Sequence, residues 1–121
     1  MASRKDNPRT RRVAERIQVE LAEILTMKTE DPRLRVLSIT GVTVTRDLSS
    51  ARIFITGSIP KEEETAVKRA LAHATPYFRT LLAPRLQLRI VPELHFEFDR
   101  SVETGNRIEQ LLREIREKRD E

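Results

Sequence analysis

Residues 60–84 read PKEEETAVKRALAHATPYFRTLLAP, and the reading of this stretch decides the fold. Pro60 followed by Glu62, Glu63 and Glu64 marks a helix start, with carboxylates set at the positive end of the helix dipole. Val67, Ala70, Leu71 and Ala74 recur at helical spacing and supply one apolar face. Pro76 then intervenes. It has no amide hydrogen, and its ring clashes with the carbonyl four residues back. Thr75 is a competent N-cap and Pro76 a favourable first helical residue. The spacing therefore predicts a helix to Ala74, a kink at Ala74-Thr75-Pro76, and a second helix carrying Phe78, Leu81 and Leu82 that Pro84 closes. A helix beginning at Pro76 would turn its free first-turn amides outward, where they favour an anion such as a phosphate.

Beyond Pro84 the period changes from helical to alternating. Leu86, Leu88, Ile90, Leu94, Phe96 and Phe98 occupy even positions, with Pro92 the one interruption, which predicts a half-buried strand at a sheet edge. Upstream, Leu37 and Ile39 are out of phase with Val42 and Val44, and a bulge at Thr40-Gly41 would absorb the slip. After a turn through Asp47–Ser50, Ala51, Ile53 and Ile55 line one face, so the two segments form an antiparallel hairpin. Residues 8–25 place Val13, Ile17, Leu21, Ile24 and Leu25 on one helical stripe, and Asp31-Pro32 ends that helix. A last amphipathic helix runs from Gly105 with Ile108, Leu111, Leu112 and Ile115, and its charged tail, 116–121, is expected to fray. The order helix, strand, strand, helix, kink, helix, strand, helix predicts a single α+β domain of two layers. Residues 1–7 form a flexible basic N-terminus, 8–116 the domain and 117–121 a charged tail.

Charge distribution points to a polyanion. Lys and Arg number 23 against 19 Asp and Glu, a net charge of +4, so placement matters more than excess. Arg4, Lys5, Arg9, Arg11, Arg12 and Arg16 crowd the first 16 residues, and Arg9, Arg12 and Arg16 share one helix face. Lys68, Arg69, Arg79, Arg85 and Arg89 lie on or just after the kinked helix pair. We expect the first group, with Arg11, to form one RNA-binding surface and the second group another. Most of these side chains would contact phosphates, which position a protein without reading sequence. A solvated surface is the plainer reading of both groups. A helix–turn–helix reader of DNA is conceivable, but strands packed beside the pair fit RNA better.

Catalytic and metal chemistry find little support. The chain has no cysteine, which excludes disulfides, thiolate metal sites and cysteine nucleophiles. Its glycines, Gly41, Gly57 and Gly105, form no phosphate loop. His73 and His95 have no nucleophile pattern around them, and Glu93, Glu97 and Asp99 read as the solvent side of a strand. No apolar run reaches the length of a membrane span. We expect a cytoplasmic non-enzyme with no cofactor, no metal and no membrane partner.

The element order resembles a type II KH domain, and the motifs resemble one family, ribosome-binding factor A. The resemblance rests on Arg11-Arg12-Val13-Ala14 through Ile24-Leu25, Asp31-Pro32-Arg33, the hairpin Val42–Leu48 with Ala51, and Arg89, Pro92, Leu94 and Phe96. Asp99, Ser101, Glu103, Gly105, Arg107-Ile108 and Leu111-Leu112 complete it, so that it spans residues 8–116. It implies a KH-like fold whose Gly-x-x-Gly loop is replaced by an Ala-x-Gly kink, here Ala74-Thr75-Pro76, with Pro76 in place of the glycine. It further implies a factor that binds the free 30S ribosomal subunit near the decoding region late in assembly. Such a factor supports 16S rRNA processing at the 5′ end, matters in the cold and leaves before translation. An assembly GTPase as a further partner is implied by the resemblance alone, and a monomer is expected. A generic KH-like RNA-binding regulator, and a nuclease that trims rRNA, stand as alternatives from other classes.

Overall fold

The computed structural model describes residues 7–119, excepting the side chains of 102–107 and 119. Arg4 and Lys5 of the basic arm therefore lie outside the described residues. Asn7, expected within a flexible arm, is the cap of helix α1 (Pro8–Met27): its side-chain oxygen accepts from the Arg9 amide at 2.9 Å. Thr10, Ala14, Ile17, Leu21, Ile24 and Leu25 are buried along it. The helix ends at Met27, earlier than Asp31-Pro32. Asp31 instead caps a one-turn helix, α2 (Pro32–Arg35), accepting from the Arg33 amide at 2.9 Å. An Asp-Pro pair that stops one helix is also a cap and first residue for the next.

Strands β1 (Ser38–Val44) and β2 (Ser50–Thr56) pair antiparallel, with the register shift between Ile39 and Gly41 that the phase slip predicted. Strand β3 (Glu93–Phe98) pairs parallel to β2, Ala51 opposite Leu94 and Ile53 opposite Phe96. The sheet order is β1-β2-β3, so β3 is an edge strand as Pro92 suggested. It is shorter than the alternating pattern. Leu86 ends a helix, and Ile90 is 73% exposed. Pro92 has no amide for the ladder, and the Val91 carbonyl is taken by Arg79 Nη2 at 2.6 Å. Pairing therefore begins at Glu93, whose amide donates to the Ser49 carbonyl at 2.9 Å.

The kinked pair is corrected most. After a 3-10 turn at Lys61–Glu63, one uninterrupted helix, α3 (Glu64–Leu86), runs through both Pro76 and Pro84. Val67, Leu71, Phe78 and Leu82 are buried, and Ala74 is half-buried between them. These positions form one stripe in phase across the proline. A proline inside a helix costs about 3 kcal/mol. Burying Phe78 and Leu82 stabilises by about 1.5–3 kcal/mol each, and that burial requires the phase to continue. Thr75, expected as a cap, donates its hydroxyl to the Leu71 carbonyl at 2.8 Å, as such a residue does within a helix. Consequently no helix N-terminus stands at Pro76 to receive a phosphate. Phe78 meets Phe96 edge-on at 6.2 Å, joining α3 to β3.

Helices α1 and α3 cover one face of the sheet, α1 over β1 and α3 over β3, and pack on each other. The core lies between the layers: Ile17, Leu21 and Ile24 of α1, Ile53 and Ile55 of β2, and Leu71, Phe78 and Leu82 of α3 are fully buried. The last helix, α4 (Ser101–Arg119), begins four residues before Gly105 and continues past Arg116. Asp99 sets its start, accepting from the Ser101 amide at 2.8 Å. Its apolar stripe is not covered: Ile108, Leu111, Leu112 and Ile115 are each 50–53% exposed.

Candidate nucleic-acid interface

The predicted basic residues do not fall into two surfaces as expected. Arg9, Arg11, Arg12 and Arg16 are all exposed on α1. Arg12 and Arg16 line a groove of about 460 Å³ together with Val13 of α1 and Arg85, Leu86, Gln87 and Leu88 from the end of α3. Arg11 points to the other flank of α1, into a smaller groove against Gly41–Val44 of β1. The structure thus splits the first group and joins part of it to the second.

One carboxylate makes the junction. Glu20 Oε2 accepts from Arg85 Nη1 at 2.9 Å, and Glu20 Oε1 lies 3.4 Å from Arg16 Nη2. Glu23 lies 3.5 Å from the same Arg85 nitrogen. Glu20 is 14% exposed whereas Arg16 is 59% exposed, so the carboxylate sits under the guanidiniums and holds them side by side. Arg89 is exposed on the segment that leaves this groove for β3. Gln87 forms part of the groove wall in a left-handed conformation at φ 54°, as the C-cap of α3. That conformation is unfavourable for a side chain with a Cβ, and glycine is its usual occupant.

The other members of the second group lie elsewhere. Arg79 is half-buried, its Nη2 holds the Val91 carbonyl, and its Nε is buried with no hydrogen-bond partner in the protein. It is a strut between α3 and the approach to β3, not an exposed cation. Lys68 borders a groove over β3 with Leu94, His95 and Phe96. Arg69, its neighbour, rims a larger groove of about 920 Å³ on the outer side of α3. Some 16 residues of helix, about 24 Å, separate Arg69 from Arg85. Ala74 and Pro76 mark no break, and Thr75 bonds back into the helix.

Sequence reasoning missed Glu20, Glu23 and Gln87. Arg16 and Glu20 stand at i, i+4, a spacing at which a helical pair is visible in the sequence. The reach of Glu20 to Arg85 across 65 positions carries no such signal. Among the described residues, no three His, Asp or Glu side chains lie close enough to hold a metal, and no helix is long and apolar enough to cross a membrane. Glu103, Gly105 and Arg107 of the resemblance lie among residues whose side chains are not described.

Element order, the parallel β2–β3 pair joined through α3, and the helices on one sheet face define an α+β domain of the KH-like class. The chain belongs to the ribosome-binding factor A family, whose model matches residues 9–112. It is 43% identical over 111 residues to ribosome-binding factor A of Alkalilimnicola ehrlichii, covering 91% of this chain and 85% of that one. The crystal structure of ribosome-binding factor A from Thermus thermophilus superposes with a TM-score of 0.66 at 27% identity. It covers 76% of this chain and 98% of its own. A T. thermophilus homology model fitted into a cryo-EM map of a 30S–RbfA complex gives a TM-score of 0.61 at 29% identity, covering 72% of this chain and 91% of that one.

Proposed function

We propose that this chain binds the free 30S ribosomal subunit in the cytoplasm and assists its late maturation as a monomer, without chemistry of its own. The observation that carries the reading is the convergence of Arg12, Arg16 and Arg85 on one groove, in a family one of whose members has been fitted into a 30S complex. In this reading the groove, with Arg9 and Arg89 beside it, follows the phosphates of 16S rRNA. Arg11, Lys68 and Arg69 contribute from separate faces, and Arg79 acts only as a strut. Support of 16S 5′-end processing, importance in the cold and release by an assembly GTPase follow from the family resemblance.

Groove geometry favours a backbone-tracking role. Guanidiniums fixed over a shared carboxylate present fork-shaped donors to a phosphate with less ordering left to pay than free side chains would need. Such contacts set position and orientation, and the shape of the rRNA supplies the rest. The test is charge reversal, Arg12→Glu with Arg16→Glu, in the full chain. Affinity for purified 30S subunits should fall about tenfold or more, with a shallower salt dependence than the parent's. Unchanged affinity would reduce the groove to solvated surface.

A further inference from the structure

Arginine contacts to phosphates place a nucleic acid without reading it. The groove between α1 and the end of α3 has one lining residue of a different kind. Arg12, Arg16 and Arg85 give its lining three guanidiniums and no carboxylate. Val13, Leu86 and Leu88, all half-buried, give it an apolar floor. Gln87 is its one uncharged polar side chain. We infer that Gln87 reads a base: the groove takes one unpaired nucleotide of single-stranded RNA, and the Gln87 carboxamide selects adenine there. This role rests on the tracking of rRNA proposed above and names the nucleotide that the groove selects.

Conformation and exposure single out this side chain. Gln87 caps α3 at φ 54° and ψ 31°. In that left-handed conformation the Cβ of an L-residue crowds the following carbonyl oxygen, and glycine or asparagine is the usual occupant. Nothing inside the protein uses the glutamine side chain. It is exposed, and its carboxamide has no hydrogen-bond partner among the described residues. Gln18 of α1, by contrast, donates to the Ile39 carbonyl. A ligand in the groove accounts for a carboxamide that strain disfavours and packing does not need. Its surroundings are also fixed, because Arg85, two residues before, is held to Glu20 of α1 at 2.9 Å. Guanidiniums for phosphates and a carboxamide for a base thus share one wall.

Size and edge chemistry name the occupant. The groove, at about 460 Å³, lies toward the small end of the roughly 300–1,000 Å³ of ligand sites. It has room for a single nucleotide and too little for a duplex. Sequence-specific recognition of RNA takes unstacked bases of single strands, laid on side-chain surfaces and hydrogen-bonded along their edges. Val13, Leu86 and Leu88 offer such a base a surface. A carboxamide presents a donor beside an acceptor. Adenine matches it on both free edges, with its amino group beside a ring nitrogen. Guanine's N7 and O6 are two acceptors and suit arginine instead. A pyrimidine offers the match on one edge only.

Binding of the full chain to labelled single-stranded RNAs of about ten nucleotides tests this. One strand is all uridine, and the other carries one central adenosine. The parent should bind the adenosine strand about tenfold more tightly. Gln87→Ala, which keeps the backbone strain and removes the amide, should bind both strands equally. Gln87→Gly should also lose the preference while its thermal midpoint rises by about 3 °C, which separates recognition from folding. A parent without preference, or a preference that survives in Gln87→Ala, would overturn the base-reading role. Arg12→Glu with Arg16→Glu tests the groove itself. Weaker binding of both strands keeps it as the RNA site whatever Gln87 does, whereas unchanged binding removes the site and the role of Gln87 with it.

Discussion

Glu20 is one carboxylate serving two guanidiniums, Arg16 at 3.4 Å and Arg85 at 2.9 Å. Exposed ion pairs contribute little to stability. Its importance is positional, because it fixes where two cations from different helices meet. Gln87 stands beside them at a positive φ, and strain of that kind is found where a wall must turn sharply. Pro76 is the residue whose local chemistry was legible and whose consequence was not. Its missing amide and ring clash were read correctly, but the stripe from Val67 to Leu82 outweighs them, and only packing shows that. Pro76→Ala should therefore restore a donor to a helix that is already continuous. We expect stability to rise by about 2 kcal/mol, the helical cost of proline of about 3 kcal/mol less the roughly 0.4–1 kcal/mol lost with the restriction of the unfolded chain. Urea denaturation measures it; a loss of stability would mean that the helix needs a break there.

Elements with strict periods were legible: α1, the hairpin and the bulge stand where the alternation and the phase slip put them. Their boundaries were less so, because they depend on distant partners. Thr40, the extra residue of the bulge, donates its hydroxyl to Asp99 at 2.5 Å, and Asp99 in turn caps α4 at the Ser101 amide. A bulge in β1 thereby helps to start a helix about 60 positions later, which no local pattern announces. The Thr40 hydroxyl first, and then the Ser101 amide, hold the Asp99 carboxyl below the usual aspartate range. A lowered folded value means that this stabilisation is complete above the ordinary aspartate pKa of about 3.9 and is lost as pH falls through the folded value. The Ser101 amide resonance should titrate with a midpoint below that ordinary value, and the step should vanish in Asp99→Asn. A midpoint at or above it would contradict the cap. The α4 stripe shows the limit of periodicity from the other side, since a helical pattern predicts a face to be covered but not what covers it.

At the scale of the whole molecule, the net charge of +4 says less than its arrangement. The sequence drew attention to arginines on α1 and near the end of α3. It grouped them by chain position, whereas the fold groups Arg12 and Arg16 with Arg85 and removes Arg79 to a strut. The family was legible because its motifs fall in order along nearly the whole chain. The groove was not, because a groove between two helices is made by their packing. On the proposed reading, a family member that tracks rRNA phosphates through this groove should travel with the maturing particle and not with the translating one. The measurement that decides it is sedimentation of the tagged protein through a sucrose gradient of lysate from growing cells. It should migrate with free 30S subunits and be absent from translating ribosomes. Protein spread through all fractions, or left at the top with free RNA, would contradict the assembly role and leave a general RNA-binding domain.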